Sequence, residues 1–224
     1  QAVPFRVVKA SGDISAAVAA HRIALGNPNN AATASQVSGR REVNWDGVPG
    51  NLTNVNTFPG NFFAVNSTRG LVMGTPGTGF RVSDILFSDV NPSYNALFRT
   101  FSAPRLFSAV GSNEINCTFQ QAASAVSASV RGFGCVFSDV DLPSTSGLRF
   151  ISGNGAVAKI AHAPVRSDSV GLSFVGVDFP VGISFPTVKV VTGTGAIGAG
   201  VQDVKNSGAV DCVVVDDFLY TEPR

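Results

Sequence analysis

From Arg40 onward, apolar and polar residues alternate in short runs, each closed by turn residues. Alternation with a period of two is the mark of a strand with one buried face. The pattern predicts strands at Arg41–Trp45, Leu71–Thr75, Ala109–Phe119, Val130–Ser138, Gly147–Ser152, Val157–His162, Gly171–Val177, Val188–Thr192 and Val210–Tyr220. Within one of them, Val130, Gly132, Gly134 and Val136 face one way, and Phe133, Cys135 and Phe137 the other. Turn signals fall between the runs: Pro76-Gly77, Asn91-Pro92, Ser146-Gly147 and Asn154-Gly155. Asn154-Gly155 suits a type I′ turn joining 147–152 to 157–162 as a hairpin.

The start of the chain has a different period. After a short strand from Phe5 to Val8, residues Ile14, Val18, His21 and Leu25 recur at helical spacing. Asp13 is placed to cap the helix N-terminus and Gly26 its C-terminus. A polar loop follows from Asn27 to Gly39. Nine or so short strands and one helix, with no strand–helix alternation, indicate an all-β fold. The expectation is a jelly-roll-like antiparallel β-sandwich, one domain over residues 1–224, with a helical elaboration at about 13–25.

Composition supports this picture. Gly and Pro together number 36, spread along the chain, and only 14% of residues are charged. Asp outnumbers Glu twelve to three and Arg outnumbers Lys twelve to four, which favours loops and strands over exposed helices. A net charge of +1 without a basic run excludes the usual footprint of a nucleic-acid binder. No apolar run reaches membrane-spanning length.

The opening Gln1-Ala2-Val3-Pro4 lacks an initiator Met and reads as a mature terminus. Sequons at Asn51, Asn66 and Asn116 point to secretion and to glycan attachment at surface loops. Of the three cysteines, Cys117 and Cys135 sit on neighbouring predicted strands and form the best candidate disulfide; Cys212 reads as a buried apolar residue. Three buried free thiols are the alternative.

Two acidic pairs carry the candidate chemistry. Asp139-Val140-Asp141 follows a β run, and Asp216-Asp217 interrupts an apolar one. Strand alternation places Asp216 and Asp217 on opposite faces, so one must be covered. A covered carboxylate needs a cation, an Arg or several amide donors. Calcium, which takes oxygen ligands from β loops, is one solution at Asp139, Asp141, Asp216 and Asp217. Pairing with Arg131 or Arg149, or capping of turns, is the other. In Asn44-Trp45-Asp46, the single tryptophan between an amide and a carboxylate suits sugar stacking; a core Trp beside an Asx turn at Asp46-Gly47 is the competing reading. Thr75–Phe80 and Thr192–Gly195 are glycine-rich but lack the Lys and helix of a phosphate loop. His21 and His162 have no nucleophile motif beside them.

The stretch Gly39–Pro49 resembles a block shared by a group of uncharacterised secreted bacterial proteins, some of which carry sorting tails of the PEP-CTERM type. The resemblance continues at Asn61–Phe63, Asn66–Gly70, Thr75–Phe80, Arg131–Gly134, Asp139–Asp141 and Asp216–Phe218. It implies export and carries no activity with it. Nor does Glu222-Pro223-Arg224 resemble a sorting tail. The leading functional expectation is therefore an extracellular, non-catalytic binding or adhesion module with a structural calcium, recognising a glycan or matrix. A self-associating subunit of a coat or filament is the alternative, and a polysaccharide-active enzyme with paired carboxylates a third.

Overall fold

The alternating runs pair into two antiparallel sheets in a computed structural model that describes residues 5–168 and 171–224. The opening residues 1–4, where a mature terminus is expected, lie outside the described residues. In chain order the elements are β1 (Arg6–Ser11), α1 (Ser15–Leu25), β2 (Arg40–Val43), α2 (Phe62–Val65), β3 (Leu71–Gly74), β4 (Gly79–Ser83) and α3 (Tyr94–Leu97). Then come β5 (Leu106–Val110), β6 (Glu114–Gln120), β7 (Ser127–Ala128), β8 (Gly132–Ser138), β9 (Gly147–Ile151) and β10 (Val157–His162). β11 (Leu172–Asp178), β12 (Thr187–Val191) and β13 (Val214–Thr221) complete the chain.

The first sheet runs β1-β11-β8-β13-β5-β4, with β2 also paired to β13. The second runs β10-β9-β12-β6-β3, with β7 beside β6. Their facing side chains form one core, from Leu71, Ile115, Phe150 and Val188 on one side to Phe107, Phe133, Val175 and Phe218 on the other. The all-β sandwich is therefore as expected. The single strand expected over Ala109–Phe119 is instead β5, a turn and β6. Gly111, at φ +72°, makes the break, and the two halves enter different sheets.

The first sheet is covered on its outer face as well. α1 lies across it and buries Ile14, Val18, His21 and Leu25, the face that the helical period marks out. The N-cap is Ile14, one residue later than the expected Asp13, and Asp13 Oδ1 accepts the Ser15 amide at 3.0 Å from the position before it. The helix comes close because the small-residue face of β8 lies beneath it. A Cβ on Gly132 would sit 2.6 Å from Leu25, and one on Gly134 or Gly176 would sit 2.6 Å from the His21 ring. Burial holds the His21 imidazole at about 4, with Arg6 adding to the effect. A second outer cluster, built from Phe87, Tyr94, Phe98, Leu106, Cys212 and Val214, covers the rest of that face.

The expected hairpin forms, with β9 and β10 paired antiparallel. Its turn differs from type I′. Ser152 O accepts the Gly155 amide at 2.9 Å, and of Asn154 and Gly155 only Gly155 has a positive φ, +83°. None of the described helices is long and apolar enough to cross a membrane.

Candidate metal centre

β8 ends at Ser138, and Asp139 turns the chain through a left-handed conformation, φ +73°. Its amide donates to Gly171 O at 2.6 Å, while Arg166 N donates to Val140 O at 2.9 Å. These bonds lay the segment around Arg166 against the Asp139–Asp141 loop. The Arg166 guanidinium then spans both acids, with Nη1 2.9 Å from Asp139 Oδ1 and Nε 2.7 Å from Asp141 Oδ1.

A third acid arrives from the loop before β13. Asp203 is fully buried, and its oxygens accept the amides of Lys205 at 2.8 Å and Cys212 at 2.9 Å. One carboxylate oxygen each of Asp139, Asp141 and Asp203 lies within 4.8 Å of the other two. Asp211 abuts the group. It accepts the amides of Asp141 and Leu142 and the Thr145 hydroxyl, the last at 2.6 Å. Four carboxylates thus face two cations, Arg166 and Lys205, whose Nζ is 3.1 Å from Asp141 Oδ1. Two negative charges are left over when all four acids are ionised.

Asp139 is 0% exposed, yet neither of its oxygens receives a hydrogen bond, nor does Oδ2 of Asp141. The Arg166–Asp139 contact is an ion pair without hydrogen-bond alignment. Buried acceptors without donors are costly. Burial pushes the Asp139 carboxyl up to about 7; Arg166 opposes this and Asp141 adds to it. Surplus carboxylate oxygens, close together and short of donors, can hold a metal ion. The sequence pointed to Asp139 and Asp141. It gave no sign of Asp203, Asp211, Arg166 or Lys205, because each lies more than twenty residues away and shares no motif with them.

Asp216 and Asp217, expected at the same kind of site, lie elsewhere. β13 carries a bulge: Val215 pairs with Phe137, but Phe218 pairs with Cys135. Three steps on β13 match two on β8, so one extra residue shifts the alternation. Val215 and Phe218 both face the core, and the two acids fall together on the other side. Their carboxylates share the Ser102 hydroxyl, at 3.1 Å and 2.7 Å. Asp216 also accepts the amides of Phe101 at 2.6 Å and Ser102 at 3.1 Å. Arg22 from α1 reaches Asp217 at 3.4 Å. Burial, then the neighbouring Asp217, pushes Asp216 up to about 9. Burial raises Asp217 too. Protein donors from Phe101, Ser102 and Arg22 thus take up the oxygens of this pair. The expected opposite faces are corrected by the bulge, and the expected metal role of Asp216 and Asp217 by these protein donors.

Trp45 offers no stacking surface. It is 1% exposed, stacked on Phe107 with centroids 3.9 Å apart, and edge-on to Phe63 and Phe218. Its Nε1 donates to Asp216 O at 2.7 Å. Asp46 is occupied structurally, accepting the Arg105 amide at 3.2 Å. Trp45 and Asp46 as a sugar platform are thus corrected to parts of the core and its border. Asn44 remains at the wall of a cleft.

The Cys117–Cys135 disulfide is corrected as well. All three cysteines are free and buried. Cys117 is on β6 and Cys135 on β8, strands of opposite sheets. Facing sheets stand about 10 Å apart, beyond the usual Cα separation of a disulfide. Among the sequons, Asn51 and Asn66 are exposed, while Asn116 is half-buried in the middle of the second sheet.

Three surface clefts of about 500, 360 and 360 Å³ each hold at most one acidic side chain: Glu222, Asp89 and none, respectively. No family model and no curated protein matches this chain.

Proposed function

We propose that this chain is a non-catalytic extracellular module whose Asp139, Asp141 and Asp203 take a structural calcium ion. One observation carries the reading: the Asp139 carboxylate is buried without a hydrogen-bond donor, with oxygens of two further aspartates within reach. The three carboxylates are hard oxygen donors set in loops, which suits calcium's irregular six- to eight-fold coordination better than magnesium's strict octahedron. Without His or Cys in the set, zinc is disfavoured. Lys205, the more exposed of the two cations, is the one an ion displaces.

The ion joins two segments distant in sequence, the Asp139–Asp141 loop after β8 and the Asp203 loop, beside the Arg166 segment that already pairs with the first. Its role is then to fix loops at one place on a sandwich, as a platform for a glycan or matrix partner. The resemblance of Gly39–Pro49 and the later blocks to exported bacterial proteins supports the extracellular setting. Against a polysaccharide-active enzyme, the acids form two buried groups with different partners instead of lining one cleft.

Calorimetric titration of calcium into chelator-treated protein tests the ion. The expected result is saturable binding, with a thermal transition raised by calcium and not by an equal ionic strength of sodium. Stabilisation of about 2.7 kcal/mol is expected at a hundredfold excess over Kd. Asp203→Asn should abolish both effects. Absence of heat and of any thermal shift at millimolar calcium would overturn the reading.

A further inference from the structure

Among the described residues, the half-buried Arg69, Arg99, Arg105 and Arg149 form no ion pair with a carboxylate, and of these Arg69 is the one that lines a cleft of about 360 Å³. Arg22, Arg40, Arg41, Arg81, Arg131 and Arg166 each pair with a carboxylate. Arg69 does not. Its Nη1 donates to the backbone carbonyl of Glu42 at 2.6 Å, and its cation lies 5.6 Å from the centre of the Phe63 ring. Its Nε is buried with no partner. Glu42, whose carbonyl Arg69 holds, spends both carboxylate oxygens on Arg22 and Arg40. A desolvated guanidinium in this state is an incomplete ion pair, and burial accordingly lowers its proton affinity.

Arg69 lines a cleft of about 360 Å³ together with Asn44, Asn66 and Ser67, floored by Phe62 and Phe63. The side chains of Asn44, Asn66 and Ser67 make no hydrogen bond within the described chain, so amide and hydroxyl groups stand ready beside the cation. The volume lies in the lower range of small-molecule sites. An apolar floor with a few convergent polar groups is the usual make-up of such sites.

We propose that this cleft binds a hydroxylated monocarboxylate of sugar size, a hexuronate unit, with Arg69 holding the carboxylate and Asn44, Asn66 and Ser67 the hydroxyls. A planar guanidinium matches a carboxylate in a two-point contact. The lining holds a single cation, which balances one negative charge; a phosphate dianion would call for a second. The neutral donors and acceptors match hydroxyls, which simple carboxylates lack. The cleft shares no residue with the aspartate cluster, and its test does not depend on calcium.

The experiment uses the full chain, produced without N-glycosylation and kept in chelator. Glucuronate and galacturonate are titrated while chemical shifts of the backbone amides are followed. Glucose and galactose control for the charge, acetate for the hydroxyls, and inorganic phosphate for a dianion. The uronates should bind at least tenfold more tightly than every control, shift amides around residues 44 and 66–69, and weaken with added salt. Arg69→Gln should remove the uronate preference. Because Arg69 also holds the Glu42 carbonyl, Asn44→Leu serves as a second variant that leaves the hydrogen bonds of the fold intact; it should weaken uronate binding severalfold. Equal binding of the neutral sugars overturns the proposal. So do tighter binding of phosphate, shifts confined to other surfaces, and absence of saturable uronate binding by the wild-type chain.

Discussion

Asp216 shows how one residue's surroundings decide its chemistry. Its carboxyl is buried beside a second carboxyl and receives two amides and a hydroxyl. Those donors favour the charge, but burial and Asp217 outweigh them, and the proton is retained up to about 9. The folded value is therefore raised above the unfolded value of about 3.9. A group shifted this way contributes stability below its unfolded value and loses it as pH rises through the folded one. Asp216→Asn keeps an acceptor for the amides and has no proton to lose. Denaturant titrations from pH 5 to 9 should show wild-type stability falling across that window and the variant's staying flatter. Parallel curves for the two proteins would mean that Asp216 is ionised throughout.

At the scale of elements, the docking of α1 depends on what the strands beneath it lack. Gly132 and Gly134 on β8 and Gly176 on β11 leave a shallow trough, and Gly134 and Gly176 are direct cross-strand partners. His21 lies in it, with its ring 5.5 Å from that of Phe174. A methyl group at Gly134 would meet the imidazole and the Phe174 ring, both closer than 3 Å. Overpacking of this kind costs about 1–3 kcal/mol. Gly134→Ala should destabilise the protein by about that much in chemical denaturation. Amide exchange should rise in α1 more than in the second sheet. A neutral effect would mean that α1 can ride outward at no cost. The small-residue face of β8 was legible in the sequence as a pattern. Its purpose was not, because the helix that fills it is about 110 residues earlier.

At the scale of the whole molecule, the Asn27–Gly39 loop, β2 and the C-terminal segment are tied together by one buried ion pair. Arg41 Nε and Nη2 donate to Glu222 at 2.7 and 2.9 Å. The remaining donors go to the carbonyls of Asn29, Ala32 and Ala34. Glu222 in turn accepts the Gln36 amide at 3.0 Å and Asn29 Nδ2 at 2.9 Å. All five guanidinium protons are used, which is the condition under which a buried pair holds. Arg41→Met, by stranding Glu222, should cost about 3–5 kcal/mol in denaturation. Arg41→Met with Glu222→Leu should recover part of that loss. A single variant within about 0.5 kcal/mol of wild type would show that the loop is held by other means. The block around Arg41 and Trp45 that stands out in the sequence thus builds the fold, and its Asn44 to Pro49 part also forms one wall of a cleft.

By itself the sequence determined the features that local periodicity dictates. The period of two placed most of the strands, the period of 3.6 placed α1 and its buried face, and glycine with asparagine placed the β9–β10 turn. These are properties of a few consecutive residues. The tertiary structure decided everything that depends on a partner. The bulge that brings Asp216 and Asp217 to one side exists only against the register of β8. Cys117 and Cys135 are apart because β6 and β8 belong to opposite sheets. Asp203 joins Asp139 and Asp141 across more than sixty residues, and Arg69 stands without an acid because Arg22 and Arg40 hold Glu42. Alternation states which way a side chain points; the pairing of distant strands states what it meets there.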